Sequence, residues 1–585
     1  MRFSRGSRLL VGSLLPLLAL AGPSLSPVRA ALSPEAASVG VTTIGALTRV
    51  GVADPRALAR QAALAPLHLV GQRRLPALYP YATAQQHAAQ ARAAEVSTFA
   101  PAAQSVGAAE ALAVTSTNIV TSFQGLTAVD TTNINSYTVE PPDQGLCQGA
   151  GAVLEQVNLV VQLYDNSGVA QLNSPVSANA FFAESGGLFP TENVSDPRCY
   201  YDAQAKAWFS TVLAYSFTSA GAVAESHVDI AVNPTTDPTS PWTIYRLDTS
   251  HASVANCPCL ADQPLLGVDA HGVFITTNEF SADLTTFNGA QAYAISKAQL
   301  LALSASPHVV GYTSLTNGGV MAASLQPAVT PGAAPAEYFM DSLDPNGTVD
   351  NRVGVWALTN EAVLDTGGIP TLSGVVIRSE GYGLPPQVIQ RGSTATLNPD
   401  DDRMQQVQNV GGTLWASLDT VIKPSGDTTN RAGAAWFKVT PALGSGTIPV
   451  ITGAALASQG YVALSGNYLT YPAIAVNGQG NAAMALSLSG PRLYPSVAYA
   501  TGPNFSILKG VAIGPAPSSG FTCVAPYGPP CRWGDYAAAV WSGDTGPRGA
   551  RLPQLWLATE YTAAPTAGIQ ANWATRVFAV NPAGS

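Results

Sequence analysis

The stretch "SDPRCYYDAQAKAWFSTVLAY" (195–215) reads as a strand, a small polar turn and a second strand rich in aromatic residues. The stretch "ADQPLLGVDAHGVFITTNEF" (261–280) repeats this outline with almost none of the same letters. An outline that recurs while its residues change indicates a repeated structural unit.

The same outline recurs at intervals of about 55–70 residues, as expected of a repeat architecture. Units begin near residues 141, 195, 261, 336, 401, 471 and 534. One unit can be read as four strands, namely "RCYYD", "WFSTVLAY", "HVDIAV" and "WTIYRL". Repeated units of four short strands are typical of a β-propeller, and seven units predict about seven blades. Several stacked β-sandwich domains are the alternative.

The composition agrees with an all-β fold. Charged residues make up only 11% of the chain, which contains 54 Gly and 44 Pro. Few charges and frequent turn residues are typical of short strands joined by turns. The formal net charge is −9, and a negative surface argues against nucleic-acid binding because it repels phosphate groups.

The N-terminal segment 1–30 reads as a secretory signal peptide. Three Arg residues precede the apolar run "LLVGSLLPLLALAG", and "VRA" ends a cleavage-site pattern. No later stretch is long and apolar enough to span a membrane. We therefore expect a secreted, extracellular protein that acts as a monomer.

The Ala-rich segment 31–115 differs from the rest of the chain. Its composition predicts a linker, partly disordered or with short helices around 56–65 and 83–96. A removable pro-segment is the alternative. The β-propeller is assigned to 116–585.

The six cysteines favour disulfides in an oxidising compartment. Cys523 and Cys531 flank the Pro- and Gly-rich loop "VAPYGPP" and are predicted to pair. Cys147, Cys199, Cys257 and Cys259 would form two more disulfides, with three possible pairings. The "CPC" spacing does not match a zinc site, so no metal is assigned to the cysteines.

The stretch "TTDPTSPW" (235–242) resembles the Asp-box of sialidase-like propellers, with Thr239 in place of the Gly. There the Asp closes a hairpin turn by accepting backbone N–H groups. Together with "YPAIAVN", "RWGDYAAAV" and "LWLATEY", the chain resembles secreted bacterial proteins of propeller type. The resemblance covers about 140 to 580 and implies the fold, but no activity.

Acidic residues concentrate at the predicted starts of first strands and ends of second strands, which share one face of a propeller around its channel. The first-strand positions are Asp143, Asp196, Asp262, Asp402 and Asp535, and the second-strand positions are Glu279, Glu361, Asp419 and Glu560. Arg198, Arg403 and Arg532 lie beside three of the Asp residues. The predicted ligand-binding residues are Asp143, Asp196, Asp262, Glu279, Asp402, Arg403, Asp535 and Glu560.

Each of these carboxylates has a structural alternative, in which it accepts backbone N–H bonds where a loop turns inward. Crowded carboxylates also suit Ca²⁺, the one cofactor that the pattern suggests. His227 falls inside a predicted strand, which favours a role in the core or at the surface over catalysis.

Two function classes follow. The first is a non-catalytic propeller that recognises an extracellular polymer, a glycan or glycoconjugate, on its acidic channel face. The alternative is a glycoside hydrolase or lyase that acts on such a polymer through the same carboxylates. The sequence contains no nucleophile or zinc-protease motif that decides between binding and catalysis.

Overall fold

The computed structural model describes residues 37–64, 100–103, 118–184, 192–251, 257–343, 345, 349–541, 543 and 554–582. Strands predominate in these ranges, and the all-β prediction is confirmed. Within the described residues, no helix has the length and apolar character that crossing a bilayer requires. The predicted signal peptide and the predicted helix at 83–96 lie outside them.

The chain begins with elements that precede the repeated units. They are β1 (Ser38–Ala46), β2 (Thr48–Ala53), α1 (Pro55–Leu64), β3 (Ala102–Ala103), β4 (Ile119–Thr127) and α2 (Ala128–Asn135). The helix predicted at 56–65 is therefore confirmed as α1.

Within the described residues, the strands lie in five hydrogen-bonded sheets, and antiparallel pairing along the chain groups most of them into runs of four, called units here and numbered along the chain; parallel pairs join the third, fourth and fifth units into one 15-stranded sheet. Unit 1 contains β5 (Gly145–Gly149), β6 (Ala152–Val157), β7 (Val160–Asp165) and β8 (Val176–Ser177), and α3 (Ala178–Phe181) follows it. Unit 2 contains β9 (Asn193–Asp202), β10 (Ala207–Phe217), β11 (Val223–Asn233) and β12 (Trp242–Asp248). Unit 3 contains β13 (Leu260–Val268), β14 (Gly272–Phe280), β15 (Phe287–Ser296) and β16 (His308–Asn317), with α4 (Lys297–Leu301) before β16 and β17 (Val320–Met321) after it.

The other four units follow the same order. Unit 4 contains β18 (Gln326–Val329), β19 (Glu337–Asp341), β20 (Asp350–Thr359) and β21 (Thr371–Tyr382). Unit 5 contains β22 (Met404–Val410), β23 (Thr413–Pro424), β24 (Arg431–Leu443) and β25 (Ile451–Val462). Unit 6 contains β26 (Tyr468–Val476), β27 (Ala482–Gly490), β28 (Leu493–Thr501) and β29 (Ile507–Ala512). Unit 7 contains β30 (Ala538–Val540), β31 (Leu555–Thr562), β32 (Trp573–Val580) and, from the N-terminal side, β4.

The units pack face to face. A separate buried apolar cluster fills each gap between neighbouring units, including the gap between unit 7 and unit 1. The first strands contact one another in the order β5, β9, β13, β18, β22, β26 and β30, and β30 contacts β5. Each sheet is therefore covered on both faces.

Burial on both faces explains the apolar strand sequences. In β10, Trp208 belongs to the cluster between units 1 and 2, whereas the next residue, Phe209, belongs to the cluster between units 2 and 3. Neither side chain is exposed. A strand with two buried faces reads as a continuous apolar run, which is why "WFSTVLAY" lacks polar alternation.

β4, which precedes unit 1, and β32, the last described strand, meet in unit 7. β32 pairs antiparallel with β4, with Phe578 opposite Ser122 and Ala574 opposite Thr127. The prediction that "TRVFAV" pairs beside a strand near 116–124 is confirmed. This pairing gives β32 a hydrogen-bonded neighbour on the edge that β31 leaves open.

Residues 38–53 form strands rather than a linker. β1 pairs with β16 at the outer edge of unit 3, and β2 pairs with β12 at the outer edge of unit 2. β1 (SVGVTTIGA) and β2 (TRVGVA) carry the Val, Ile and Thr residues typical of strands, and the Ala-rich composition of 31–115 as a whole conceals this local pattern. The domain boundary near residue 115 stays a prediction.

The predicted start of unit 4 is wrong by one strand. The sequence pattern begins this unit with "AEYFMD", which is β19. However, β18 pairs in parallel with β13 and β22, the first strands of units 3 and 5, and antiparallel with β19. β18 has only four residues, too few to give a recognisable pattern, so β20 is the third strand and not the second.

The turn between β11 and β12 forms as the Asp-box resemblance implies. Asp237 Oδ1 accepts the Thr239 backbone N–H at 2.9 Å and its hydroxyl at 2.6 Å. The Trp242 indole N–H donates to the Pro238 carbonyl at 2.8 Å. Asp237 therefore has the structural role that was predicted.

The six cysteines form three disulfides. Cys523–Cys531 is confirmed, and the other two are Cys147–Cys199 and Cys257–Cys259. Cys147–Cys199 joins β5 to β9 and so links the first strands of units 1 and 2.

We predict that the disulfides stabilise the fold in order of the loop that each closes. The sequence separations are 52, 8 and 2 residues. Loop-closure entropy then gives about 4 kcal/mol for Cys147–Cys199, about 2.6 kcal/mol for Cys523–Cys531 and about 1.6 kcal/mol for Cys257–Cys259. Urea denaturation of the three paired Cys→Ala variants measures this order, with the Cys257/Cys259 variant as the control. Equal losses in all three variants would contradict it.

Candidate functional site

Several first strands share a left-handed backbone conformation at or near their starts. Asp143, Asp196, Gln263, Asp400 and Tyr471 have φ values between 49° and 59° and lie at or near the starts of the first strands of units 1, 2, 3, 5 and 6. This left-handed region is uncommon for residues other than Gly, and Asp adopts it more readily than most. The Asp residues in "PPDQG", "SDPR" and "PDDDR" therefore suit the local backbone.

Five carboxylates from five units meet where the first strands begin. We call Asp143, Asp196, Asp262, Asp400 and Asp535 the acidic cluster. One oxygen each of Asp143, Asp196 and Asp535 lies within 4.8 Å of the others. Asp535 also interacts electrostatically with Asp262 and Asp400. The structure thus brings together four of the predicted Asp residues.

An Asn that the sequence analysis missed holds two members of the acidic cluster. The Asn158 side-chain amide donates to Asp143 Oδ2 at 2.7 Å, and its oxygen accepts the Asp196 backbone N–H at 2.8 Å. Asp143 Oδ1 accepts the Asp535 backbone N–H at 3.1 Å. Asn158 lies in the turn between β6 and β7, where Asn reads only as a turn residue.

Two of the three predicted arginines are ion-paired within the protein. Arg532 contacts both carboxylate oxygens of Asp535. Arg403 donates two hydrogen bonds of 2.7 Å to Asp401 and one of 2.6 Å to Gln263. These pairs compensate part of the negative charge at the cluster.

Arg198, the third predicted arginine, lies over an aromatic ring. Its guanidinium carbon lies 3.3 Å from the centre of the Tyr536 ring. Its buried Nε and Nη2 have no hydrogen-bond partner in the structure. Burial lowers the pKa of Arg198, while Tyr536 and the neighbouring Asp residues oppose that shift.

The predicted glutamates lie beside the acidic cluster. Glu279 accepts a 2.6 Å bond from the Thr277 hydroxyl, and Glu560 accepts a 2.8 Å bond from Gln144. Each interacts electrostatically with the Asp of its own unit, Asp262 for Glu279 and Asp535 for Glu560. These interactions agree with the predicted pairing of each Glu with the Asp of its own unit, which stays a prediction.

Asp419 and Asp402 have other surroundings. Both oxygens of Asp419 accept the Tyr471 backbone N–H at 3.0 Å, which matches the structural alternative. Asp402 is buried and interacts electrostatically with Tyr382, whereas its neighbour Asp400 interacts with Asp535.

Glu361 does not join these acids. Because β20 is the third strand of unit 4, the residue after it lies at the opposite end of the sheet. There Glu361 accepts the Glu337 backbone N–H and interacts with Asp269, which follows β13. The expectation that Glu361 shares a face with Glu279 is wrong for the same reason as the start of unit 4.

Burial dominates the titration of these acids. It raises the pKa of Asp196 to about 8, and the charges of Asp262 and Asp535 add to the effect. The pKa of Asp143 is also raised well above its ordinary value, by burial and then by Asp535 and Asp196. Burial raises the pKa of Glu279 to about 8 and that of Glu560 to about 7. The site therefore holds protons on some carboxyls near neutral pH.

We predict that stability falls as pH rises from about 4 to about 8, because the unfolded Asp and Glu residues release their protons near pH 4 whereas the native ones keep them. Each such group contributes a slope of about −1.4 kcal/mol per pH unit within this window. Asp196→Asn removes one group while keeping a residue that tolerates positive φ, so its free energy of unfolding should depend less on pH.

The measurement is urea denaturation at several pH values. Glu225→Gln, at an exposed position of β11, is the matched control and should follow the wild type. Parallel curves for wild type and Asp196→Asn would rule out a raised pKa for Asp196.

Comparisons with known proteins assign no family to the chain. No protein-family model and no curated protein matches it. The resemblance to secreted bacterial propeller proteins therefore stays a prediction from the quoted motifs.

Solved structures similar to the chain include a Trypanosoma rangeli sialidase in complex with 2,3-difluorosialic acid, at 10% identity, with 72% of this chain and 57% of that chain covered and a TM-score of 0.31. A Cellvibrio cellulosa α-L-arabinanase with arabinohexaose has 10% identity, 64% and 95% coverage and a TM-score of 0.26. A phage phi92 endosialidase has 8% identity, 76% and 68% coverage and a TM-score of 0.32. This chain spans 57% of the length of the sialidase. Since all three TM-scores are below 0.5, these likenesses assign no function.

Proposed function

We propose that the chain is a secreted, seven-bladed β-propeller that binds an extracellular polymer, a glycan, at the acidic cluster on its channel face. Seven four-stranded units, seven apolar gaps and the contact between β30 and β5 support one closed ring. Three disulfides suit an oxidising compartment outside the cytoplasm.

The convergence of Asp143, Asp196 and Asp535 carries the proposal. Carboxyls that keep a proton donate hydrogen bonds, and carboxylates accept them. A sugar hydroxyl does both, so a site that holds protonated and ionised carboxyls side by side suits a polyhydroxylated ligand. Asp143 and Asp196 have raised pKa values, while Asp535 is ion-paired with Arg532.

The ion pairs argue against a site in which these arginines bind a carboxylate group of the ligand. Arg403 and Arg532 already hold Asp401 and Asp535, so they are less available for an anionic group of a ligand. Because these Arg and Asp side chains pair with one another beside the acidic cluster, the site suits recognition of a neutral polymer better than it suits an active site built on arginines.

Hydrolysis is the second candidate function, and one observation favours it. Asp196, with a pKa of about 8, lies beside Asp535, which Arg532 pairs. A proton-holding acid next to a carboxylate is the pair that glycosidases use. The separation of at most 4.8 Å is nearer to the retaining spacing of about 5–5.5 Å than to the inverting spacing of about 6.5–9.5 Å.

Ca²⁺ is the cofactor that this site would hold. It takes oxygen ligands at about 2.3–2.6 Å, so ligands on opposite sides are up to about 5 Å apart. The oxygens of Asp143, Asp196 and Asp535 fall inside that limit. A bound Ca²⁺ would compensate these charges and offer its remaining positions to sugar hydroxyls.

We predict that Asp535→Asn weakens polysaccharide binding by about tenfold or more, since a hydrogen bond to a charged group contributes about 1.5–3 kcal/mol, and that Asp196→Asn, which replaces a protonated carboxyl group, weakens it less. Affinity electrophoresis against a set of polysaccharides, with Ca²⁺ or with a chelator, measures retention, and a reducing-end assay on the same samples measures cleavage. Glu225→Gln serves as the control.

Retention without new reducing ends identifies a binding protein. Reducing ends that appear with the wild type and disappear with Asp196→Asn identify a hydrolase. If both Asp variants match the wild type in retention, calcium response and cleavage, the acidic cluster is only structural.

A further inference from the structure

A second cluster of charged side chains lies where unit 1 leads into unit 2, and it shares no residue with the acidic cluster. Glu184 follows α3 and Glu192 precedes β9, while His227 and Asp229 are on β11 and Arg246 is on β12. The three acids and His227 are all less than a tenth exposed, at 6%, 7%, 0% and 4% for Glu184, Glu192, Asp229 and His227. Only Arg246 reaches solvent, with 30% of its side chain exposed.

Three carboxylates surround one nitrogen of His227. Its Nε2 lies 3.2 Å from Glu184 Oε1, 3.6 Å from Asp229 Oδ2 and 4.0 Å from Glu192 Oε1. A proton on Nε2 makes one good hydrogen bond and leaves the other two oxygens without a close donor. One imidazole N–H needs a single acceptor oxygen, and three acceptor oxygens lie around this nitrogen.

The spacing matches a metal ion. Zn²⁺ lies about 2.0–2.2 Å from His nitrogen and carboxylate oxygen, and in tetrahedral geometry this puts its ligand atoms roughly 3.3–3.5 Å apart. The distances of 3.2 and 3.6 Å from His227 to Glu184 and Asp229 are close to this value. Ligand atoms of all three residues lie within 4.8 Å of one another.

Arg246 holds two of these carboxylates in position. Its Nη2 contacts Glu184 Oε1 at 2.5 Å, and its Nε contacts Asp229 Oδ1 at 3.2 Å. Asp229 accepts from Arg246 with both oxygens, since Oδ2 lies 3.5 Å from Arg246 Nη2, and the same Oδ2 lies 3.6 Å from His227 Nε2. Carboxylates that bind a metal are commonly held by such outer hydrogen bonds.

Two further observations point to a missing cation. Glu184 Oε2 is buried and has no hydrogen-bond partner in the structure. Three buried acidic side chains surround one guanidinium and one imidazole, so the acidic groups outnumber the basic ones. A divalent cation would balance the acidic groups, and buried charges are normally balanced.

We propose that Glu184, Glu192, Asp229 and His227 bind one divalent transition-metal ion, Zn²⁺ by preference, with Arg246 as a positioning residue. An imidazole together with carboxylates suits Zn²⁺, whereas Ca²⁺ and Mg²⁺ prefer oxygen ligands alone. The ion ties the connection between units 1 and 2 to the third strand of unit 2. This site is independent of the proposed glycan function.

The test uses the full chain without a polyhistidine tag, stripped with a chelator and then titrated with Zn²⁺ by calorimetry. We expect one equivalent to bind tightly and to raise the melting temperature by mass action. Co²⁺ is the spectroscopic probe, and its visible absorption bands should appear with one equivalent and disappear when Zn²⁺ is added.

Four variants locate the site. His227→Gln should abolish binding of this equivalent and the Co²⁺ bands, whereas His271→Gln, at an exposed turn position, should keep both. Asp143→Asn should also keep both, which separates this site from the acidic cluster. Arg246→Lys should keep the stoichiometry but weaken Zn²⁺ affinity by about 10–100-fold, as loss of an outer hydrogen bond does.

The proposal is overturned if the wild type takes up no Zn²⁺, or if His227→Gln binds it as tightly as the wild type does. Should His227→Gln fail to fold, Glu192→Gln decides in its place, because its carboxylate is the most distant of the three from His227. Unchanged Zn²⁺ affinity and an unchanged Co²⁺ spectrum in a folded Glu192→Gln protein would then refute the four-residue site.

Discussion

The structure depends on the apolar packing of each four-stranded sheet against both of its neighbours. A sheet with two apolar faces needs two partners, and a row of such sheets always leaves two faces open unless it closes. In this chain the last gap is filled by Leu146 and Val153 of unit 1 against Trp556 and Val577 of unit 7. The β4–β32 pairing supports that contact, since it builds unit 7 from strands on either side of units 1 to 6 in the chain.

The contacts between first strands also create the electrostatic repulsion at the candidate site. The first strands converge, so residues at their starts from different units come within a few ångströms of one another. Burial and mutual repulsion raise the pKa values of Asp143 and Asp196, and this disfavours having all carboxylates ionised at once. Arg403 and Arg532 compensate part of the charge, and protons compensate another part. Buried carboxyls in mixed protonation states cost stability at neutral pH, which is typical of functional sites.

The His227 cluster likewise places several acidic side chains close together in a buried position. There the compensating groups are one guanidinium and one imidazole, and they serve three buried carboxylates. Because His227 and Asp229 are two residues apart on β11, their side chains lie on the same face of the strand. Glu184 and Glu192 reach that face from outside the sheet.

The sequence by itself determined the all-β class, a recurring strand unit, the Cys523–Cys531 pair and the pairing of the C-terminal strand with a strand near residue 120. These features depend on local pattern and spacing, which a strand of seven or more residues displays clearly. It failed at β18, which has four residues, and at β1 and β2, where Ala-rich composition hides the strands. It also identified most of the acids at the site, because Asp suits the left-handed backbone that begins several first strands.

Only the tertiary structure decided which of these acids meet. Asp400, which the sequence did not single out, interacts with Asp535, because the loop before β22 and not a strand pattern sets its position. The partners Asn158, Gln263 and Tyr536 come from three different units and were not predicted. Contacts between units follow from how the ring closes, and no local pattern in the sequence encodes them.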